Sequence, residues 1–157
     1  MNIKLLAIGK TDNKNLQTLI EQYQKRLSFY VKFDLEIVPD IKNVKNLSEK
    51  EQKEKEGELI LAKISPTDQL ILFDENGKAF SSVGFSEYLQ KKMNSGVKTL
   101  VFVIGGPYGF SDLVHQKATE KVSLSQMTFS HQMIRLFVVE QIYRAFTILR
   151  NEPYHHQ

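Results

Sequence analysis

Residues 100–109 read LVFVIGGPYG, five apolar residues that run directly into a turn containing three glycines. A short apolar run bounded by glycine and proline is typical of a strand that is buried on both faces of a parallel sheet. Parallel strands are joined by crossovers that usually contain a helix, so this stretch predicts an α/β fold. Ligands in such folds bind beyond the carboxyl ends of the strands, which makes residues 105–109, the glycine loop, a candidate site.

On either side of this stretch the chain alternates between strand and helix patterns. Apolar runs predict further strands at 3–8, 33–38, 70–73 and 122–124, and helical spacing predicts helices at 16–30, 48–64, 82–94, 111–118 and 131–149. The segment Asp-Glu-Asn-Gly at 74–77 predicts a turn, and the charged run at 49–55 predicts an exposed helical face. The alternation predicts one α/β domain with a mostly parallel sheet and helices on both faces.

The composition is that of a globular protein with a core, since 41% of the 157 residues are hydrophobic and 25% are charged. No apolar run approaches the roughly 20 residues that span a bilayer, and the N-terminus lacks the features of a signal peptide. The chain has no cysteine, which excludes disulfides and fits a reducing cytosol, so we expect a cytoplasmic protein. Its net charge of +3 is compatible with an anionic partner.

A second candidate site is the 124–131 loop, which reads LSQMTFSH and joins the last predicted strand to the last helix. Its apolar side chains and free backbone amides suit a nucleoside, although a helix start capped by Thr128 or Ser130 explains the same residues. The glycine loop matches neither GxGxxG nor a Walker loop, which disfavours a conventional dinucleotide or P-loop site. Adjacent His155 and His156 without an H-E-x-x-H pattern predict no metal site.

The last predicted helix is apolar around most of its circumference. Its polar residues Glu140, Gln141, Arg144 and Thr147 cluster on one narrow side. The remaining surface is too apolar to face water, so we expect the helix to pack on the sheet and on a second subunit. Arg135 stands alone on the apolar side and is expected to border the functional site.

Seven motifs, in order along the whole chain, resemble the ribosomal RNA large-subunit methyltransferase H family. They are IKLLAIGK (3–10), KEGELILAKI (55–64), LFDENGK (72–78), IGGPYG (104–109), SLSQMTFSHQMIR (123–135), EQIYRAF (140–146) and NEPYHH (151–156). The resemblance implies a SPOUT fold, in which the C-terminal part of the α/β sheet, about 70–157 here, is threaded into a trefoil knot. It also implies a homodimer that uses S-adenosyl-L-methionine to methylate N3 of a pseudouridine in 23S rRNA on the assembled ribosome, with no DNA partner.

The same resemblance assigns roles to individual residues. The cofactor-binding positions would be Phe73, Gly105, Leu124, Ser125, Gln126, Met127, Thr128 and Phe129. Arg144, Tyr154 and His155 match positions linked to substrate recognition or activity. Phe73 replaces a usual leucine, Ser130 replaces a frequent proline, and the ending His156-Gln157 replaces a more usual basic one. Which residue, if any, is the general base, and which subunit supplies the tail, stay open at this point.

Three other interpretations remain in competition. The chain would be a SPOUT methyltransferase that acts on tRNA, a ribosome-binding factor without catalytic activity, or an α/β enzyme of small anionic metabolites. The tRNA enzyme would have the same cofactor site. The ribosome-binding factor would bind ribosomal particles but not the cofactor. The metabolite enzyme would show no steep salt dependence of binding.

Overall fold

The computed structural model describes residues 1–156, and Gln157, part of the C-terminal ending noted above, lies outside the described residues. Five strands and five α-helices follow one another along this part of the chain. They are β1 (Asn2–Ile8), α1 (Lys14–Leu27), β2 (Lys32–Val38), α2 (Glu49–Leu61), β3 (Gln69–Ala79), α3 (Ser82–Asn94), β4 (Thr99–Ile104), α4 (Asp112–Lys117), β5 (Glu120–Ser123) and α5 (Met133–Leu149), with one 3₁₀ turn at Val44–Asn46.

The five strands form one sheet in the order β2-β1-β4-β3-β5, and every pair of neighbours is parallel. Successive residues of a strand point to opposite faces of the sheet. On β1, Ile3 and Leu5 therefore pack with α1, α3 and α5, whereas Leu6 and Ile8 pack with α2 and α4. Helices thus cover both faces, which confirms the predicted α/β class. The knot that the resemblance implies stays a prediction.

The prediction for β3 was wrong at its carboxyl end. The predicted turn at 74–77 does not end the strand, because β3 continues through these residues to Ala79. The Asp74 carboxylate accepts a local hydrogen bond from the Asn76 backbone N–H at 2.8 Å, and the pairing with β5 has a register shift between Phe73 and Lys78. Gly77 allows this, since a Cβ there would lie 2.7 Å from backbone atoms of β5.

Arg135, expected to border the functional site, instead joins α5 to the end of β1. The side chain is 1% exposed, and its guanidinium donates to the Ile8 carbonyl at 2.6 Å and the Gly9 carbonyl at 2.7 Å. It also donates to the Thr11 hydroxyl and the His131 carbonyl, both at 3.0 Å. Burial lowers the pKa of the guanidinium, and the nearby carboxylates of Asp40 and Asp12 oppose that shift.

No helix within residues 1–156 has both the length and the apolar character that crossing a bilayer requires.

We expect Arg135→Ala to lower the free energy of unfolding by at least about 2 kcal/mol, because buried carbonyls lose their donor. Arg26→Ala, at an exposed position on α1, is the matched control and should change it by less than about 0.5 kcal/mol. Urea unfolding of both variants measures the difference. Equal stability of the two variants would contradict the anchoring role of Arg135.

Candidate functional site

A cleft of about 630 Å³ opens at the carboxyl edge of the sheet, where β4, β3 and β5 end side by side. Its walls are the end of β3, the glycine loop and the 124–131 loop. The lining residues include Lys53, Phe73, Asp74, Glu75, Asn76, Gly105, Gly106, Tyr108, His115, Leu124, Ser125, Met127, Thr128, Phe129, His131 and Ile134. Its volume is in the range of small-molecule sites, and its place in the sheet is where α/β folds bind ligands.

The structure brings together most of the residues that the sequence assigned to a cofactor. Seven of the eight line this cleft: Phe73, Gly105, Leu124, Ser125, Met127, Thr128 and Phe129. The eighth, Gln126, lies on the same loop with an exposed side chain and does not line the cleft. The assignment of these residues to a cofactor stays a prediction.

Serine hydroxyls fix the shape of the 124–131 loop. The Ser125 hydroxyl accepts a hydrogen bond from the Met127 backbone N–H at 3.0 Å, which forms a tight local turn. The Ser130 hydroxyl accepts from the backbone N–H groups of Gln132 and Met133 at 3.2 and 3.4 Å, just where α5 begins. A proline at position 130 would provide stiffness but no such acceptor, whereas the serine provides a hydroxyl that accepts from backbone N–H groups just before α5.

The glycine loop is packed closely against the protein behind it. A Cβ on Gly105 would lie 3.1 Å from the Phe110 ring, and a Cβ on Gly106 would lie 2.5 Å from the Glu56 carboxylate. A side chain at position 105 therefore meets Phe110 first, not a bound ligand. A side chain at 106 therefore requires the Glu56 carboxylate or the loop to shift, and a side chain at 105 requires a smaller adjustment of the Phe110 ring.

A second group of side chains gathers around Glu140 on α5. The Glu140 Oε1 atom accepts from Arg144 at 2.7 Å and from the Tyr154 hydroxyl at 2.8 Å. Arg144 Nη1 lies 3.2 Å from His155 Nδ1, and the Arg144 guanidinium stacks 4.7 Å from the centre of the Tyr154 ring. The structure thus brings together the three residues that the sequence linked to activity. We name them, with Glu140, the Glu140 cluster.

The Glu140 cluster is held against α1. The hydroxyls of Tyr154 and Tyr23 are 3.1 Å apart, and the Tyr30 hydroxyl donates to the Glu152 carboxylate. That bond raises the pKa of Tyr30 to about 12. Burial, followed by the bonds to Tyr23 and Glu140, raises the pKa of Tyr154 as well. Tyr154 is therefore neutral at physiological pH and acts as a hydrogen-bond donor.

The Glu140 cluster does not line the cleft of the same chain, and Gln141 connects the two regions. The Gln141 amide donates to Glu140 Oε2 at 2.8 Å, and its oxygen accepts from the Ser82 hydroxyl at 2.9 Å. Gln141 and Ser82 line a mainly apolar cavity of about 350 Å³. Phe73, Leu124 and Phe129 are shared by this cavity and the cleft, so a continuous lining connects the two.

Sequence reasoning missed Glu140 as an organising residue and Glu56 as a buried one. The spacing of Glu140 and Arg144 predicts only an ordinary i,i+4 ion pair, which is present at 2.7 Å. Its further bond to Tyr154 depends on the fold of the tail and is not visible in the spacing. Glu56 belongs to the charged helix α2, and its neighbour Gly57 was the one indication of close packing there.

Residues 1–155 match the family model described as "Predicted SPOUT methyltransferase". The chain belongs to the SPOUT methyltransferase family. Its curated relatives include proteins named ribosomal RNA large subunit methyltransferase H, and two of them differ in their sequence identity to this chain. The one from Flavobacterium johnsoniae is 82% identical and the one from Porphyromonas gingivalis W83 is 54% identical, each over 100% of both chains. The family resemblance inferred from the motifs is confirmed.

Solved structures similar to this SPOUT family member are more distant. A putative methyltransferase from Legionella pneumophila, in complex with SAM, aligns with a TM-score of 0.47 at 12% identity, over 92% of this chain and 66% of that one. A probable methylase family protein from Haemophilus influenzae aligns with a TM-score of 0.49 at 14% identity, over 96% of this chain and 66% of that one.

We expect Glu140→Gln to lower the rate of methyl transfer about 10- to 100-fold, because small misplacements of reacting groups have effects of this size. Glutamine keeps the shape of the side chain but loses the charge that holds Arg144. Glu87→Gln, at an exposed position on α3, is the control. Single-turnover rates with saturating methyl donor measure the effect. A wild-type rate for Glu140→Gln would show that the reaction does not depend on Glu140 holding Arg144 and Tyr154 in place.

Proposed function

We propose that this protein uses S-adenosyl-L-methionine to methylate N3 of a pseudouridine in the 23S rRNA of the assembled ribosome. The observation that carries the proposal is the match, over the full length, to relatives named ribosomal RNA large subunit methyltransferase H, at 82% identity for the Flavobacterium johnsoniae protein. Membership of the SPOUT methyltransferase family supports the reaction type. The cleft is lined by motifs that carry the family resemblance, which supports its assignment as the cofactor site.

The cleft fits the proposed cofactor. Phe73, Leu124 and Phe129 provide apolar surfaces for an adenine ring, and the backbone of the 124–131 loop provides donors and acceptors for its polar edge. The glycine loop allows the backbone to approach the ligand closely. When bound, S-adenosyl-L-methionine supplies an activated methyl group on a sulfonium. The role of the protein in such a transfer is chiefly orientation, which supplies on the order of 7–11 kcal/mol.

The Glu140 cluster has the chemistry that the acceptor needs. The N3–H proton of the base must be lost before N3 can attack, so a nearby cation helps by favouring the anion. Arg144 supplies that cation. Because arginine only donates hydrogen bonds, His155 Nδ1 must be the acceptor in its contact with Arg144. A ring that accepts at Nδ1 carries its hydrogen on Nε2, and this nitrogen has no partner within residues 1–156.

This geometry supports roles for the three residues that do not include a general base. The Nδ1 lone pair of His155 faces Arg144, and the Tyr154 hydroxyl donates to Glu140. Among the described residues, His155 therefore has its Nε2–H free to donate to the base, whereas the only hydroxyl hydrogen of Tyr154 is used by Glu140. Tyr154 thus positions Glu140 and Arg144, and Arg144 stabilises the charge that develops on the base. The proton leaves to solvent or to a group of the ribosome.

The protein is proposed to act as a homodimer, in which the Glu140 cluster of one subunit faces the cleft of the other. The separation of the two regions within one protomer supports this arrangement. Large apolar side chains beside the cleft also support it, because Met127 is 76% exposed and Met133 is 50% exposed. A second copy of the chain would cover them.

The experiment that tests the function uses labelled S-adenosyl-L-methionine and ribosomes from a strain that lacks the gene for this protein. We expect label at N3 of one pseudouridine in 23S rRNA, located by primer extension and nucleoside mass spectrometry. Free 23S rRNA and tRNA are the parallel substrates. Label in tRNA would favour the tRNA enzyme, and particle binding without any label or cofactor affinity would favour the non-catalytic factor.

Arg144→Ala and His155→Ala should each keep wild-type affinity for S-adenosyl-L-methionine and lose methylation of ribosomes by about 100-fold or more. His156→Ala, the exposed neighbour, is the control and should stay active. Calorimetry measures affinity and filter binding of labelled rRNA measures activity. Loss of cofactor affinity in the first two variants would contradict their placement on the acceptor side.

Mixed dimers test whether the site is shared between subunits. Arg144→Ala protomers combined with Gly105→Val protomers should recover activity, because one of the two composite sites then holds an intact cleft and an intact cluster. No recovery in purified mixed dimers would show that cleft and cluster act within one subunit.

A further inference from the structure

Glu56 is a buried acidic residue that the reaction proposed above does not use. Its side chain is 3% exposed, although it lies on the highly charged helix α2. The Gln52 amide donates to Glu56 Oε1 at 3.1 Å, and Glu56 Oε2 accepts no hydrogen bond from any residue within 1–156. A buried carboxyl group with an unpartnered oxygen is costly to keep, which indicates that the position has a function.

The carboxyl group lies directly behind the wall of the cleft. A Cβ on Gly106 would lie 2.5 Å from Glu56 Oε2 and 2.8 Å from Oε1, so the carboxyl group occupies the space where any other residue at 106 would place its side chain. Gly106 lines the cleft on its other side. The Gly106 carbonyl also accepts from the Gly109 N–H at 3.2 Å, which closes the glycine loop. The position of Gly106 therefore determines where the whole loop lies.

The surroundings of Glu56 raise the pKa of its carboxyl group. Burial raises its pKa, the nearby Asp40 carboxylate raises it further, and the Gln52 hydrogen bond and His131 oppose the shift. Lys53, one turn earlier on α2, lines the cleft itself, as do the acidic residues Asp74 and Glu75.

We propose that Glu56 is a positioning residue whose carboxyl group supports Gly106 from behind and holds the glycine loop at the distance from the 124–131 loop that the methyl donor needs. This inference rests on the proposed function in one respect, which is that the ligand of the cleft is the methyl donor. What matters is the length and shape of the side chain, not its negative charge.

Two near-isosteric changes separate shape from charge. Glu56→Gln keeps the length and removes the charge, and we expect its affinity for S-adenosyl-L-methionine to stay within about threefold of wild type. Glu56→Asp keeps the charge and withdraws the carboxyl group by one methylene, and we expect affinity to fall about tenfold or more, since the support of the loop is lost. Glu54→Asp, exposed on the same helix and paired with Lys50 at 3.9 Å, is the matched control.

A double variant tests the contact itself. Gly106→Ala should weaken donor binding, because its methyl group collides with the Glu56 carboxyl group. Combining it with Glu56→Asp makes room for that methyl group, so the double variant should bind the donor more tightly than Gly106→Ala alone. Such non-additivity is expected for residues in direct contact and not for distant, independent sites.

Calorimetry measures donor affinity, and hydrogen exchange of residues 105–110 in the ligand-free protein measures the order of the loop directly. We expect faster exchange in Glu56→Asp than in wild type and Glu56→Gln. A Gln variant as defective as Asp, additive effects in the double variant, or unchanged loop exchange would each overturn the proposal. Wild-type protein that binds no S-adenosyl-L-methionine would overturn the proposed function instead, and the exchange data would still decide the role of Glu56.

Discussion

The parallel direction of β4, β3 and β5 brings the loops that follow them to one edge of the sheet, and the site depends on that convergence. Parallel pairing leaves the carboxyl ends side by side, so the glycine loop, the last part of β3 and the 124–131 loop meet around one cleft. The two loops have no regular secondary structure, and each would be mobile alone. Arg135 anchors the start of α5 to the end of β1, and that anchor determines where the 124–131 loop joins the fold.

Two glutamates illustrate how burial gives the same side chain opposite roles. Glu140 accepts hydrogen bonds from Arg144, Tyr154 and Gln141, and these bonds hold Arg144 and Tyr154 in one arrangement. Glu56 has a single amide donor, and burial raises its pKa, so it serves as a spacer behind Gly106. The difference lies in the number of donors that the fold provides to each carboxylate, and helix α5 provides more than helix α2.

Much of the fold follows from local sequence, because apolar runs such as 100–104 have few alternatives to a buried strand. The glycine loop and the 124–131 loop were identified as candidate sites for the same reason, since each follows such a run. The error at β3 arose because a turn motif does not reveal whether the chain resumes pairing after it. The partners of Arg135 and the burial of Glu56 depend on contacts between distant segments, which no local pattern encodes. The roles of Tyr154 and His155 came only from the family resemblance.

A crystal structure of the protein with S-adenosylhomocysteine would test the central claim most directly, namely that the glycine loop and the 124–131 loop together hold the nucleoside of the methyl donor. The account predicts the adenine ring between Phe73 and the backbone of residues 124–129, with the sulfur atom directed towards the Glu140 cluster of the second subunit. Nucleoside density at any other place, with the cleft unchanged, would contradict it.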